Sequence, residues 1–100
     1  MNLDQLEQAI LEWGAMKGIL PDPDARAQWT KTVEEVAELD DAIRTNNREE
    51  ALDAIGDIFV TLVMQTQAWD TSMEECVQKA YDTISKRTGK MVNGVFVKDN

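Results

Sequence analysis

The stretch Val33–Val63, VEEVAELDDAIRTNNREEALDAIGDIFVTLV, limits what this chain can fold into more than any other. Two acid clusters, Glu34/Glu35/Glu38 and Glu50/Asp53/Asp57, flank a polar turn, and the second leads straight into the apolar run Ile58–Met64. Carboxylates beside a buried run are costly unless something positive meets them. Residues three and four apart share a helix face. Glu35 and Glu38 therefore project together, with Glu34 turned away by about 100°. Glu50, Asp53 and Asp57 form one stripe that continues through Val60 and Met64, so Asp53 and Asp57 are expected to point as core residues do.

Apolar spacing predicts four helices. The first covers about Leu3–Lys17, with Leu3, Leu6, Ile10 and Trp13 recurring at helical period and Gly18 as its stop. The second covers about Pro23–Arg44, with Asp22 as its expected cap. Thr45-Asn46-Asn47 reads as a turn, and Asn47 as the cap of a third helix over Arg48–Trp69. The length of that segment and the period of Ala51, Ile55, Ile58 and Leu62 favour helix over strand. Beyond Asp57 it is apolar on nearly every side, as in a helix buried by several neighbours, some of them from another subunit. Thr71-x-x-Glu74 fits a capping box for a fourth helix over about Ser72–Arg87, which Gly89 ends. The tail Met91–Val97 holds an Asn-Gly turn signal, for a small hairpin or an extended arm. The expected architecture is an all-α four-helix bundle with a short C-terminal arm, a single domain over residues 1–100, working as an oligomer.

Composition narrows the chemistry. The net charge of −9 argues against a nucleic-acid binder or an anionic-membrane binder. There is no histidine and one cysteine, Cys76, which excludes an intrachain disulfide and a Cys/His zinc site. Cys76, Met64 and Met73 read as core. The N-terminal MNLDQLEQA is not a signal peptide, and no apolar segment approaches the ~20 residues of a membrane span. A reducing, cytoplasmic setting fits.

Solvated acidic faces are the ordinary explanation for such clusters, and they suit Glu34, Asp40, Asp41 and Glu49. They suit the Glu50/Asp53/Asp57 stripe less well, because no Lys or Arg is interspersed there and like charges at this spacing repel. Lys31 and Arg44 are too few to neutralise both clusters. A hard divalent cation held by carboxylates from two antiparallel helices answers the charge. Without histidine, Mg²⁺ or Mn²⁺ is favoured over zinc.

Glu34-Glu35-Val36-Ala37-Glu38, a polar turn, then Glu50-Ala51-Leu52-Asp53-Ala54-Ile55-Gly56-Asp57 resembles the MazG-like nucleotide pyrophosphohydrolases, whose pattern is EExxE, a spacer, then ExxD before an aliphatic run. The resemblance is strongest to small single-domain members, including phage types. It implies an all-α fold that forms dimers or tetramers. It also implies Mg²⁺-dependent hydrolysis of nucleoside triphosphates to monophosphate and pyrophosphate. By position, Glu35 and Glu38 match the first pair of metal ligands and Asp57 the aspartate before the aliphatic run. The glutamate expected three residues before that aspartate falls on Ala54, so Asp53, or Glu50 in an alternative register, must supply the remaining carboxylate. Asp53 is preferred, because i and i+4 still share a face.

Glu34 or Glu38 is then the candidate to orient or deprotonate the attacking water. Triphosphate also needs cations from the protein, and Lys31, Lys79, Arg87 and Lys90 are the candidates, against ordinary placement of cations near a helix C-terminus. Trp13 and Trp29 are candidates to stack on a base, against a packing role; Trp69 reads as an interface residue. The expected function is pyrophosphohydrolysis of dNTPs or modified NTPs. The alternatives are a dUTPase, a phosphoribosyl-ATP pyrophosphohydrolase, or a non-catalytic nucleotide- or protein-binding module.

Overall fold

The computed structural model describes residues 1–99. Four helices, α1 Leu3–Met16, α2 Ala25–Arg44, α3 Arg48–Ala68 and α4 Met73–Ile84, precede a hairpin of β1 Gly89–Val92 and β2 Val95–Lys98. Local chemistry sets most of the boundaries. Asn2 and Gln5 form a reciprocal capping box at the start of α1, at 2.9 and 2.8 Å. Gly18, at φ +80°, ends the first segment. The cap of α2 is Asp24 rather than Asp22, and the helix begins two residues after Pro23. Asp24 Oδ1 accepts from the N–H groups of both Arg26 and Ala27, at 2.9 and 3.1 Å, which satisfies two otherwise unpaired donors.

Asn47 caps α3 as expected, its Oδ1 accepting from Glu50 N–H at 3.2 Å. At α4 the cap is Ser72, one residue beyond the expected box, and Thr71 instead donates to the Glu75 carboxylate at 2.8 Å. That helix ends at Ile84, short of Arg87. Gly89 does not stop it but opens β1, in antiparallel register with β2 from Gly89↔Lys98 to Val92↔Val95. Asn93 and Gly94 both take positive φ, 50° and 83°, as a two-residue hairpin turn of this hand demands. The tail is therefore a hairpin and not an extended arm.

The trunk is the antiparallel α2–α3 pair. Ala42, Ala54, Val63 and Met64 are its most buried apolar residues, each at 2% exposure or less. Between the helices lies a buried hydroxyl relay. Thr32 donates to Thr61 Oγ1 at 2.8 Å, and Thr61 donates to the Ile58 carbonyl at 2.7 Å. Buried hydroxyls need partners, so this relay pins the register of α2 against α3 one turn from Glu35 and Asp57. On the other side, α1 packs on α3 through Gly14; a Cβ there would lie 2.8 Å from Met64 Sδ and Cε, so any side chain would force the end of that buried methionine to move. Glu7, also buried, carries its carboxylate to the start of α4 and accepts from Met73 N–H at 3.1 Å, at the positive end of that helix.

Beyond that cap, α4 has little cover. None of its residues is buried, and its apolar stripe Val77, Tyr81, Ile84 is more than half exposed. Cys76 is exposed too, and Met73 is only half-buried; both correct the expectation of core residues, because the chain supplies nothing to cover this helix. The molecule is mostly helical, with four helices and a small hairpin, but only α1, α2 and α3 share a closed core.

Candidate metal and active site

The α2–α3 pair brings Glu35, Glu38 and Asp57 together. One carboxylate oxygen from each lies within 4.8 Å of the others. The geometry follows from period and pairing: Glu35 and Glu38 are i,i+3 on α2, and the short Thr45–Asn47 connection sets Asp57 opposite them on α3. Glu35 and Asp57 are half-buried and Glu38 is exposed, so the group opens to solvent on its Glu38 side.

Glu35 carries the electrostatic tension. Its Oε2 is shielded from solvent and has no hydrogen-bond partner among the described residues. Burial, then pairing with Glu38, then the negative charges of Glu38 and Asp57 push its carboxyl up to about 6 from the ordinary 4.5. Lys31 does little to oppose this. Its Nζ is bound to Glu34 at 3.0 Å on the outer face of α2, and that pair holds the ammonium above its usual range. Arg44 is likewise occupied, by Asp40 at 3.2 Å and by Asp41.

The remaining candidates fall into separate places. Glu50 and Asp53 are exposed and stand outside the triad. They line an adjoining cavity of about 290 Å³ together with Glu38 and Asp41. Asp53 does not point inward as its stripe suggested; Ala54 does, at 2% exposure. Ala54, where the resemblance expects a glutamate, fills the α2–α3 interface, and Asp53 beside it faces the acidic cavity. Glu34 is exposed and ion-paired, outside the triad.

Trp29 lines an apolar cavity of about 440 Å³ with Trp69, Leu62 and Gln65, and this cavity shares no residue with the acidic one. At 100° per residue, Trp29 and Leu62 turn to the side of the α2–α3 pair opposite Glu38 and Asp57. Trp13 is part-exposed on α1. Lys79 is exposed on α4, Arg87 borders a cavity with Tyr81 and Phe96, and Lys90 is exposed on β1; none of the three lines the acidic cavity. Sequence reasoning did not single out Asp41 as a wall of the acidic cavity, nor the Thr32–Thr61 relay between α2 and α3. Two threonines in different helices carry no sequence signal of their pairing.

Four helices, a small hairpin, and an acid triad shared by two of the helices around an unpartnered carboxylate oxygen define a mostly helical protein with an acidic cluster that could hold a metal ion. The MazG nucleotide pyrophosphohydrolase domain matches residues 26–92, and the chain belongs to that family. No curated protein and no solved structure matches it. The matched segment runs from α2 into β1 and leaves α1 outside. Family membership suggests nucleotide pyrophosphohydrolase activity. Among the described residues, no helix is long and apolar enough to cross a membrane.

Proposed function

We propose that this chain hydrolyses nucleoside triphosphates, dNTPs or modified NTPs foremost, to nucleoside monophosphate and pyrophosphate, with a divalent cation. The observation that carries this reading is the convergence of Glu35, Glu38 and Asp57 around the unpartnered Glu35 Oε2, in a member of this family. The donor set fits such an ion. It offers anionic oxygens only, one of them shielded from water, and neither imidazole nor thiolate, which suits Mg²⁺ or Mn²⁺. Glu35, Glu38 and Asp57 would hold it, with Asp53 and Glu50 in the adjoining cavity as further carboxylates. When bound, the cation supplies neutralisation of phosphate charge and activation of water.

The protein's own residues do the rest. Glu35, raised by its surroundings to about 6, is protonated in acid and near neutral pH stands as a strained charge that a cation would relieve. Glu38, at the open edge of the triad, is the carboxylate placed to take the proton of the attacking water. The water oxygen bonds to the α-phosphorus, the bond from that phosphorus to the bridging oxygen breaks, and pyrophosphate leaves. Glu34 is the weaker candidate for base, because Lys31 already engages it. The hydroxyl relay of Thr32 and Thr61 holds the two acid-bearing helices in register.

The test is release of pyrophosphate from a panel of NTPs and dNTPs with millimolar Mg²⁺. Release from dNTPs, abolished by EDTA, is expected. No release from any substrate, with Glu38→Gln equal to wild type, sinks the enzyme reading; release from dUTP alone makes the chain a dUTPase.

A homodimer or homotetramer belongs to the same proposal. The chain exposes 7756 Å², where a compact monomer of 11.3 kDa exposes about 5,700 Å². Its radius of gyration is 15.8 Å, against about 13 Å for a compact domain of 100 residues. The excess of roughly 2,000 Å² exceeds the ~800 Å² per partner of a standard interface. Much of its apolar part lies on α4, on the Trp29, Val36, Leu62 and Trp69 side of α2–α3 and on the hairpin, with more along Leu3, Leu52 and Ile55. Sedimentation equilibrium should give two or four chains, and Trp69→Glu should lower that number; a wild-type monomer at micromolar concentration would refute the assembly.

A further inference from the structure

Gly56 has no structural reason to be glycine. It lies inside α3, where glycine is disfavoured, yet its φ is ordinary and a Cβ there would meet nothing within 4 Å. The open space above it is a cleft of about 550 Å³ between α1 and α3, walled by Leu6, Ile10, Phe59 and Val60. That volume is within the range of small-molecule sites. Asp57, a member of the acid triad, and Asp53, which also lines the acidic cavity, border it, so the cleft adjoins both. Aspartates at its edge exclude a purely apolar occupant. Apolar walls exclude the phosphates. A molecule whose charged end lies at the triad and whose flat, weakly polar end lies beside Phe59 satisfies both.

We infer that the α1–α3 cleft seats the nucleoside half of the triphosphate, over the bare backbone of Gly56, and selects it by size and apolar contact rather than by the base's hydrogen-bonding edge. This deepens the proposed activity and rests on it for the identity of the ligand. The side chains lining the cleft, other than the two aspartates, offer no hydrogen-bond donor or acceptor. A pocket of this kind discriminates poorly between ligands of similar shape, by about 100-fold at most. An added ribose 2′-hydroxyl would lose its water there without a replacement, so deoxyribose is favoured over ribose within the same limit. α1, which supplies Leu6 and Ile10, lies outside the segment matched to the family, so this wall belongs to the chain's own N-terminal part.

Gly56→Leu tests the inference by filling the cleft from its floor. For wild type, kcat/KM across dATP, dGTP, dCTP and dTTP is expected to spread by no more than about 100-fold. In Gly56→Leu, KM should rise at least tenfold for all four, with kcat little changed and the Mg²⁺-induced rise in Tm intact. Calorimetric binding of an α,β-imido-dNTP with Mg²⁺ reads the same site without turnover. Should wild type hydrolyse nothing yet bind that analogue, and Gly56→Leu bind it at least tenfold more weakly, the activity reading fails and the cleft stands. Gly56→Ala, which adds only a methyl into open space, gives a graded version if the leucine variant does not fold. Unchanged KM and analogue affinity in Gly56→Leu would overturn the inference. So would a wild type that binds no analogue, a single base preferred more than a thousandfold, or a leucine variant that loses its partner copies while keeping its KM.

Discussion

Asp57→Asn should lose at least about 100-fold in turnover, near 2.7 kcal/mol of transition-state stabilisation, and with it the response of the fold to Mg²⁺. The substitution keeps the shape of the side chain and removes its charge, so packing is little disturbed. What it removes is the one α3 carboxylate in the triad with Glu35 and Glu38. A site left with acids from α2 alone no longer ties the two helices through an ion. Wild-type protein at a hundred times its Mg²⁺ dissociation constant gains about 2.7 kcal/mol, which is roughly 10 °C or more for a domain of this size. Differential scanning fluorimetry with and without millimolar Mg²⁺ should show that rise in wild type and little of it in Asp57→Asn. A variant that keeps both turnover and the thermal shift would place the cation elsewhere, the Glu38/Asp41/Glu50/Asp53 cavity being the next place to look.

The part of this site that could be seen in the sequence is the part governed by helical period and a short connection. Glu35 and Glu38 share a face because they are three residues apart, and three turn residues with Asn47 as cap force α3 back along α2. That places Asp57 opposite them without further information. Asp53 was not legible in the same way. Glu50, Asp53 and Asp57 form a stripe wide enough that its two edges face different surroundings, and the neighbouring Ala54 took the inward direction. What decided between them was the closeness of α2 and α3 near the turn, a tertiary quantity set by Ala42 and Ala54.

The position of the basic residues relative to the acids was not legible for another reason. Lys79, Arg87 and Lys90 lie on α4, the loop after it and β1, segments anchored mainly through the Glu7 cap and otherwise without cover. Where they fall relative to the acids depends on how α4 is packed, and helical period does not encode that. The same lack of cover exposed Cys76 and moved the end of α4 forward to Ile84. The trunk is thus encoded locally, while α4 and the hairpin find little packing among the described residues.

Glu35→Gln should act on stability in opposite directions with and without metal. In the metal-free fold the Glu35 carboxyl titrates near 6 instead of 4.5, so the folded state holds its proton more tightly than the unfolded chain. That preference contributes stability in full below about pH 4.5 and loses it as pH rises through about 6. At pH 7.5 in EDTA, wild type therefore keeps a half-buried charge facing Glu38 and Asp57, and the neutral amide relieves it. The variant should melt a few degrees higher there, about 2–5 °C, and no higher at pH 4.5, where wild type is itself protonated. In millimolar Mg²⁺ at pH 7.5 the order should reverse, because the ion meets the charge in wild type and has lost an anionic ligand in the variant. The quantity to follow is the difference in Tm between the two proteins across pH 4.5–8, since the many other carboxylates then cancel. A difference that is flat in EDTA, or a variant that melts lower than wild type at pH 7.5 without metal, would mean that Glu35 is already satisfied in the metal-free fold, and the unpartnered oxygen would lose its weight as the mark of a cation site.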